Sequence, residues 1–137
     1  MSVSLPKVRL SVPSKETYFS YLSSSYSLLQ TCNYLTDLHL VSQDGVTVPV
    51  HRAVLLPVCP LLGGLLHHIS MDEAATVLLP ASSRSVEDMV SLLYSGHSPP
   101  ISYSHQEQLR DLIHHLGLSI QIQIEEREDT VETAEDI

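Results

Sequence analysis

Histidine is the residue of this chain that most readily suggests chemistry, because imidazole binds metals and exchanges protons near neutral pH. There are eight histidines, including the adjacent pairs His67-His68 and His114-His115. Neighbouring side chains on a helix diverge by about 100°, and no two histidines are spaced i, i+4. No cysteine or acid lies at a recognised zinc-ligand spacing. We therefore expect polar or half-buried histidines, no metal and no cofactor, with His51 capping or bracing a short helix.

Hydrolytic and nucleotide-binding chemistry has no better support. The chain lacks the Gly-x-Ser-x-Gly sequence of a nucleophilic serine turn, and its serines, histidines and aspartates are common enough to meet by chance. Gly63-Gly64 lacks the further glycines and the lysine of a phosphate-binding loop. The sequence therefore predicts that the protein is not an enzyme.

Charge divides the chain into a body and a tail. The formal net charge is −9, and the segment Glu125–Ile137 has seven acidic residues and one basic residue, a charge of −6 that leaves −3 for the body. Residues 126–137 are predicted to be an acidic, disordered tail. A mildly acidic body does not attract phosphates, so we expect no direct nucleic-acid binding by this domain.

Composition favours one intracellular domain. Two cysteines, Cys32 and Cys59, are too few for a disulfide scaffold, which indicates a reducing compartment. No run of 18 apolar residues predicts a transmembrane helix, and the first 12 residues lack the apolar core of a secretory signal. With 137 residues, 43% of them hydrophobic, the chain can form one domain with short extensions. No membrane partner is expected.

The clearest secondary structure lies between residues 37 and 62. Alternating apolar residues from Leu38 predict a half-buried strand, and Asp44-Gly45 predicts a two-residue hairpin turn before a second, β-branched strand. Two short helices are expected to begin at His51 and Cys59, the second shortened by a double glycine.

Three longer helices and a further strand complete the predicted elements. Ser14 is a suitable N-cap for a helix that reaches about Thr31. Residues 76–79 predict a short buried strand, and apolar spacing predicts a helix that begins at Ser82 or Ser83 and ends near residues 94–96. A capping box that begins at Ser104 predicts the last helix, which Gly117 ends.

The segment 37–62 resembles the BTB/POZ domain. The usual pattern of that family is an Asp, a hairpin with a charged or glycine turn, then His-Arg-x-x-Leu and Ser/Cys-Pro. The matching residues are Asp37, Asp44-Gly45, His51-Arg52-Ala53-Val54-Leu55 and Cys59-Pro60. A looser resemblance covers about residues 18–118. It implies an α+β fold, a helical cluster flanked by a small β-sheet, over residues 14–125.

Both ends of the chain predict amphipathic edge strands, one in an extended N-terminal arm, residues 1–13, and one at residues 119–124. The alternating apolar residues are Val8, Leu10 and Val12 in the arm and Ile120, Ile122 and Ile124 near the C-terminus. Unpaired edges invite other strands. In many BTB dimers the N-terminal strand crosses to the partner subunit, so the resemblance implies a swapped arm. The alternatives are assembly beyond a dimer and strands that fold back on their own subunit.

The resemblance also implies that the first long helix packs on its copy in a second subunit. The interface residues predicted on this helix are Tyr18, Phe19, Leu22 and Tyr26. Together with the six apolar residues of the terminal strands, they form the predicted homodimer interface.

Two further sites follow from the resemblance. Asp37 and Arg52 match charged residues that line a dimer-interface pocket in BTB domains of zinc-finger transcription factors. They are either a fold-stabilising pair or a contact for a corepressor, and removal of one would leave a buried charge that costs several kcal/mol. Met71 and Glu73 match a hydrophobic-x-Glu segment that binds a cullin in some BTB adaptors, or they lie in an ordinary solvated loop.

The sequence therefore predicts a homodimerising protein-interaction module, part of a nuclear, zinc-finger type transcription regulator. One alternative is a cytoplasmic substrate adaptor of a cullin-type ubiquitin ligase, and another is a scaffold protein with no further domain.

Overall fold

The computed structural model describes residues 5–70, 72–119 and 121–123. Its helices and strands alternate irregularly along the chain. In order they are α1 (Lys15–Thr31), β1 (Leu38–Val41), β2 (Thr47–Val50), α2 (Arg52–Leu55), a 3-10 turn (Leu56–Val58), α3 (Pro60–Leu65), β3 (Ala75–Leu78), α4 (Ser83–Ser95) and α5 (Tyr103–Leu116). The predicted fold class, α+β with a helical cluster and a small sheet, is confirmed.

The sheet has the order β2-β1-β3. β1 lies in the centre, antiparallel to β2 and parallel to β3, with Leu40 opposite both Val48 and Val77. β3 was predicted as a buried strand, and this is wrong: Leu78 is 75% exposed. β3 lies at the edge of the sheet and buries only alternate side chains, which a four-residue apolar run does not reveal.

The hairpin between β1 and β2 differs from the predicted two-residue turn. The Ser42 amide donates to the Val46 carbonyl and the Gly45 amide to the Ser42 carbonyl, both at 3.0 Å, so the loop has three residues. Gly45 alone of the turn pair has a positive φ, 83°, as in three-residue hairpin loops. The Asp44 carboxylate instead accepts from the amide and hydroxyl of Ser83, at 2.9 and 2.7 Å, and ties the hairpin to the start of α4.

Serine hydroxyls begin the three long helices. Ser14 caps α1 and Ser82 caps α4, each accepting a backbone N–H of the first turn. α5 is capped by Ser102, two residues before the predicted Ser104, because the chain becomes helical earlier than the capping box suggests. Gly117, with φ of 62°, ends α5 as predicted.

The core lies between the inner face of the sheet, α4 and α5, and α4 also contacts α1. It is almost entirely aliphatic, with one buried thiol and one buried tyrosine. Its members include Leu38, Leu40, Val50, Leu55, Cys59, Leu62, Val86, Met89, Tyr94, Leu109, Leu112 and Leu116. α1 contributes no buried residue to it.

The described residues of the two predicted terminal segments do not form strands. Residues 5–13 are exposed and lack strand pairing, and residues 121–123 have no regular secondary structure. The Ser119 amide still donates to the Val58 carbonyl at 2.8 Å, which holds the end of α5 near α3. Ile120, Ile124 and the predicted tail lie outside the described residues. Both strands were predicted to pair with another strand, and this pairing stays a prediction.

Candidate protein-interaction site

α1 is held against the body along one side by side-chain hydrogen bonds. The Ser23 hydroxyl donates to the Tyr94 carbonyl at the end of α4. The Gln30 side-chain amide donates to the Pro49 carbonyl in β2 at 3.0 Å. These contacts fix which side of α1 faces inward.

The apolar face predicted for the dimer lies partly inside the single chain. Leu22 and Tyr26 are half-buried on the inward side of α1, whereas Tyr18 and Phe19 are exposed nearer its N-terminus. Only two of the four predicted interface residues on α1 are therefore fully available to another molecule. The spacing of Tyr18, Leu22 and Tyr26 identified an apolar face, but this face packs mainly on the helix's own body.

Two large apolar residues on the outward face of α1 were missed. Tyr21 and Leu28 are exposed, and because they are seven residues apart they lie above one another on the helix. This second apolar repeat is visible in the sequence. Four serines between these residues obscure it.

The N-terminal arm adds uncovered apolar surface next to α1 in the sequence. Leu10 is 91% exposed, and Val8 is nearly as open, while Val12 is exposed to a smaller degree. Alternation places these three side chains on one side of an extended chain. Ile122, also predicted at the interface, is exposed at the other end of the described chain.

Behind α1, His51 braces three segments from a buried position. Its Nδ1 lies 2.7 Å from the Tyr94 hydroxyl oxygen, which also accepts the His51 backbone N–H at 2.8 Å, and its Nε2 lies 2.9 Å from the Tyr34 carbonyl. A carbonyl only accepts, so Nε2 carries a hydrogen and the Tyr94 hydroxyl donates to Nδ1. His51 makes no side-chain cap to α2. His51 occupies the N-cap position of α2 as predicted, but its side chain contacts Tyr94 and Tyr34 instead of the helix.

The protonation state of Tyr94 and a ring contact from Tyr26 support the hydrogen bonds of His51. Burial raises the pKa of Tyr94 to about 12, the charges of Asp37 and Tyr26 raise it further, and the hydrogen bond from the His51 backbone opposes them by lowering it. The Tyr94 hydroxyl is therefore protonated at neutral pH and can donate. The Tyr26 ring meets the His51 ring edge-on, with centroids 5.4 Å apart. α1, β2 and α4 thus meet at one histidine.

Arg52 and Asp37 lie close together, but their contact differs from the predicted pair of charges. Asp37 Oδ1 accepts the backbone N–H of Arg52 at 2.7 Å. The Arg52 guanidinium, 2% exposed as a residue, donates to the carbonyls of Ser70 and Glu73. Asp37 therefore satisfies an amide at the start of α2, while Arg52 holds the loop before β3.

The remaining charges do not change this assignment. In the described part of the chain, the one ion pair within 4 Å joins Arg84 to Asp88, at 3.4 Å. The side chain of Glu73 is exposed, although its backbone carbonyl accepts a hydrogen bond from Arg52. Its predicted companion in a cullin contact, Met71, lies outside the described residues.

The histidine pairs are consistent with ordinary surface residues. The rings of His67 and His68 contact each other with centroids 5.0 Å apart, and His114 and His115 are exposed. Within residues 5–70, 72–119 and 121–123, no group of three His, Cys, Asp or Glu side chains is placed to hold a metal ion. None of the described helices has the length and apolarity needed to cross a membrane.

A three-stranded sheet under a helical cluster, with an uncovered helix and arm on its surface, defines a small α+β domain suited to binding other chains. Residues 26–127 match the sequence model of the BTB/POZ domain. The chain belongs to the BTB/POZ family, whose domains are protein–protein interaction modules.

Solved structures show the same fold at low sequence identity. The chain is similar to the BTB domain of zebrafish PATZ1, with a TM-score of 0.64, 10% identity and coverage of 93% of this chain and 96% of that one. It is also similar to the BTB domain of human gigaxonin, with a TM-score of 0.63, 18% identity and coverage of 82% and 89%. Among curated proteins, no sequence matches.

Proposed function

We propose that this BTB/POZ domain forms a homodimer through α1 and the N-terminal arm. The observation that supports this proposal is the absence of any buried residue in α1, together with the exposure of Tyr21 and Leu28 on its outward face. A 17-residue helix with an open apolar face is unusual in a monomer, because most helix stability in proteins comes from packing.

Burial of the outward face of α1 favours association. Burial of a large apolar side chain contributes about 1.5–3 kcal/mol. Tyr21 and Leu28 supply two such side chains per subunit on one face of α1, so a two-fold contact buries four of them. The sum is comparable to the entropic cost of association, about 4–15 kcal/mol. The arm adds Val8 and Leu10 when it pairs with a strand of the partner.

The biological setting that we propose is a nuclear transcription regulator of the zinc-finger class. Its support is the residue pattern Asp37 and His51-Arg52, which resembles that class. A dimer doubles the number of DNA-binding modules attached to one particle and raises their effective concentration at paired sites. Asp37 is half-buried and Arg52 buried, so a corepressor that uses this region would touch Asp37 rather than the guanidinium.

Solution mass tests the dimer. A Tyr21→Glu, Leu28→Glu variant places two charges on the outward face of α1, and multi-angle light scattering should show a lower mass per particle than for the unaltered protein. Tyr103→Glu is the matched control, since Tyr103 is 81% exposed at the start of α5 and its replacement should leave the mass unchanged. A one-chain mass for the unaltered protein would refute the dimer.

A second candidate, a substrate adaptor for a cullin-type ubiquitin ligase in the cytoplasm, is favoured by the loop that Arg52 clamps. Its bonds to the Ser70 and Glu73 carbonyls fix the backbone and leave the Glu73 side chain exposed. If the loop binds a cullin, Glu73→Ala should abolish capture of the cullin N-terminal region, while Asp72→Ala should retain it. Capture by neither the unaltered protein nor the Asp72 variant would rule this candidate out.

A further inference from the structure

The two edges of the sheet are not equally open to another strand. Along β2, the residues whose backbone groups face away from β1 are Thr47 and Pro49, since Val46 and Val48 alternate with them in the pairing with β1. Pro49 has no N–H, and its carbonyl accepts the Gln30 side chain at 3.0 Å. The β2 edge therefore offers few free backbone groups to another strand.

The β3 edge is open. The Ala75 amide donates to the Asp37 carbonyl at 3.3 Å and the Leu79 amide to the Val41 carbonyl at 2.8 Å. In a parallel strand alternate residues face the partner, so the N–H and C=O groups of Thr76 and Leu78 face away from β1. No hydrogen bond of the described residues uses these groups.

The β3 edge also lacks the usual protection against pairing. Natural edge strands are commonly blunted by charged side chains, bulges or proline. The segment 74–83 has no charged residue, and its proline, Pro80, lies beyond the strand. Thr76 and Leu78 project from the same exposed face of the sheet, and Leu78 is 75% exposed.

We propose that the β3 edge binds the β3 strand of a second copy of this chain, in antiparallel register about Val77. In that register Thr76 of each copy lies opposite Leu78 of the other, so the two outward-facing residues match by symmetry. Each residue offers one N–H and one C=O, which gives about four hydrogen bonds between the copies. Two Thr–Leu side-chain pairs form on the exposed face.

Charge does not oppose a second copy as the occupant of the β3 edge. With a formal net charge of −9, two copies of this chain repel each other overall. The uncharged β3 edge is a place where two copies can approach without opposing like charges. A symmetric strand pair is also self-complementary without any further sequence requirement.

This contact uses a different surface from the dimer proposed above, because α1 is bonded to β2 and β3 lies at the other edge of the sheet. Two distinct two-fold contacts on one chain generate an open assembly rather than a closed pair. The β3 contact alone links two chains, and only the longer assembly rests on the proposed α1 dimer.

Sedimentation velocity over a range of micromolar concentrations tests the proposal. The unaltered protein should exceed the two-chain mass and grow with concentration. Leu78→Lys adds a charge to the edge, and Thr76→Pro removes only an outward N–H, which edge strands tolerate. Both variants should lower the limiting mass by about twofold or more, with unchanged circular dichroism. Thr47→Lys, an exposed change on the opposite edge strand, is the control and should assemble like the unaltered protein.

A limiting mass of two chains in the unaltered protein, unaffected by Leu78→Lys, would overturn the β3 contact and leave the α1 dimer intact. Combination with Tyr21→Glu, Leu28→Glu separates the two proposals. With α1 blocked, β3 pairing should still give a two-chain species that Leu78→Lys dissociates. If that species fails to form, the β3 contact is wrong, whatever the α1 variants show.

Discussion

At the scale of single residues, the sequence identified important side chains and misassigned their partners. His51, Arg52 and Asp37 were singled out from their order in the chain. The structure places all three near the start of α2, where they act mainly on backbone groups of distant segments. Sequence spacing shows which residues are polar within an apolar region, but not which distant carbonyls come near them.

The role of Tyr94 at His51 gives a first prediction. Tyr94→Phe removes the hydroxyl that accepts the His51 N–H and donates to Nδ1, leaving buried polar groups unpaired. We expect a loss of about 1–3 kcal/mol in the free energy of unfolding, measured by urea denaturation. Tyr103→Phe, at an exposed position, should have no effect. Equal stabilities for the two variants would show that the His51 network is not structural.

The contact between Asp37 and the Arg52 amide gives a second prediction. If Asp37 acts as an acceptor for this N–H, Asp37→Asn keeps the oxygen and most of the stability, since Asn and Asp are similar as helix caps. Asp37→Ala should cost about 0.5–2 kcal/mol, read from the urea midpoint at constant m value. A loss from Asn as large as that from Ala would instead indicate a direct pairing of charges with Arg52.

At the scale of elements, periodicity predicted which helices and strands exist, and local chemistry predicted their ends less well. α1, α4 and α5 were recovered because apolar spacing and serine caps agree. The start of α5 was placed two residues late, and the turn at Asp44-Gly45 one residue short. At Asp44, a tertiary bond to Ser83 uses the side chain that local turn preferences assign to the hairpin.

The short helix α3 gives a third prediction. Gly64 lies in its last turns, is exposed, and has open space where a Cβ would be placed. Gly64→Ala should raise the stability by about 0.5–1 kcal/mol, because alanine is the better helix former. Gly45→Ala, at φ of +83°, should lower it. Thermal unfolding midpoints measure both, and a destabilising Gly64→Ala would mean that α3 is not helical in solution.

At the scale of the whole molecule, the class of fold and the family were predictable from sequence, whereas the assembly surfaces were only partly so. The BTB/POZ pattern lies within one continuous segment, so it needs no tertiary information. The interface on α1 depends on which side of the helix faces the body, and Ser23 and Gln30 decide this through bonds to α4 and β2. No local pattern reveals that choice.

The N-terminal arm gives a prediction at this scale. Deletion of residues 1–12 removes the exposed Val8 and Leu10 but none of the described core. If the arm is exchanged between subunits, the shortened protein should keep its thermal stability at high concentration and dissociate to one chain on dilution. Light scattering across a dilution series measures this, and a dimer of unaltered affinity would argue that the arm stays on its own subunit.

We propose above all that two copies of this chain associate through α1. Its most direct test is the mass of the intact 137-residue protein by light scattering at micromolar concentration, beside the Tyr21→Glu, Leu28→Glu variant. We expect at least two chains per particle for the intact protein and a lower mass for the variant, in which association at α1 is lost. A folded intact protein that remains a single chain throughout would contradict it.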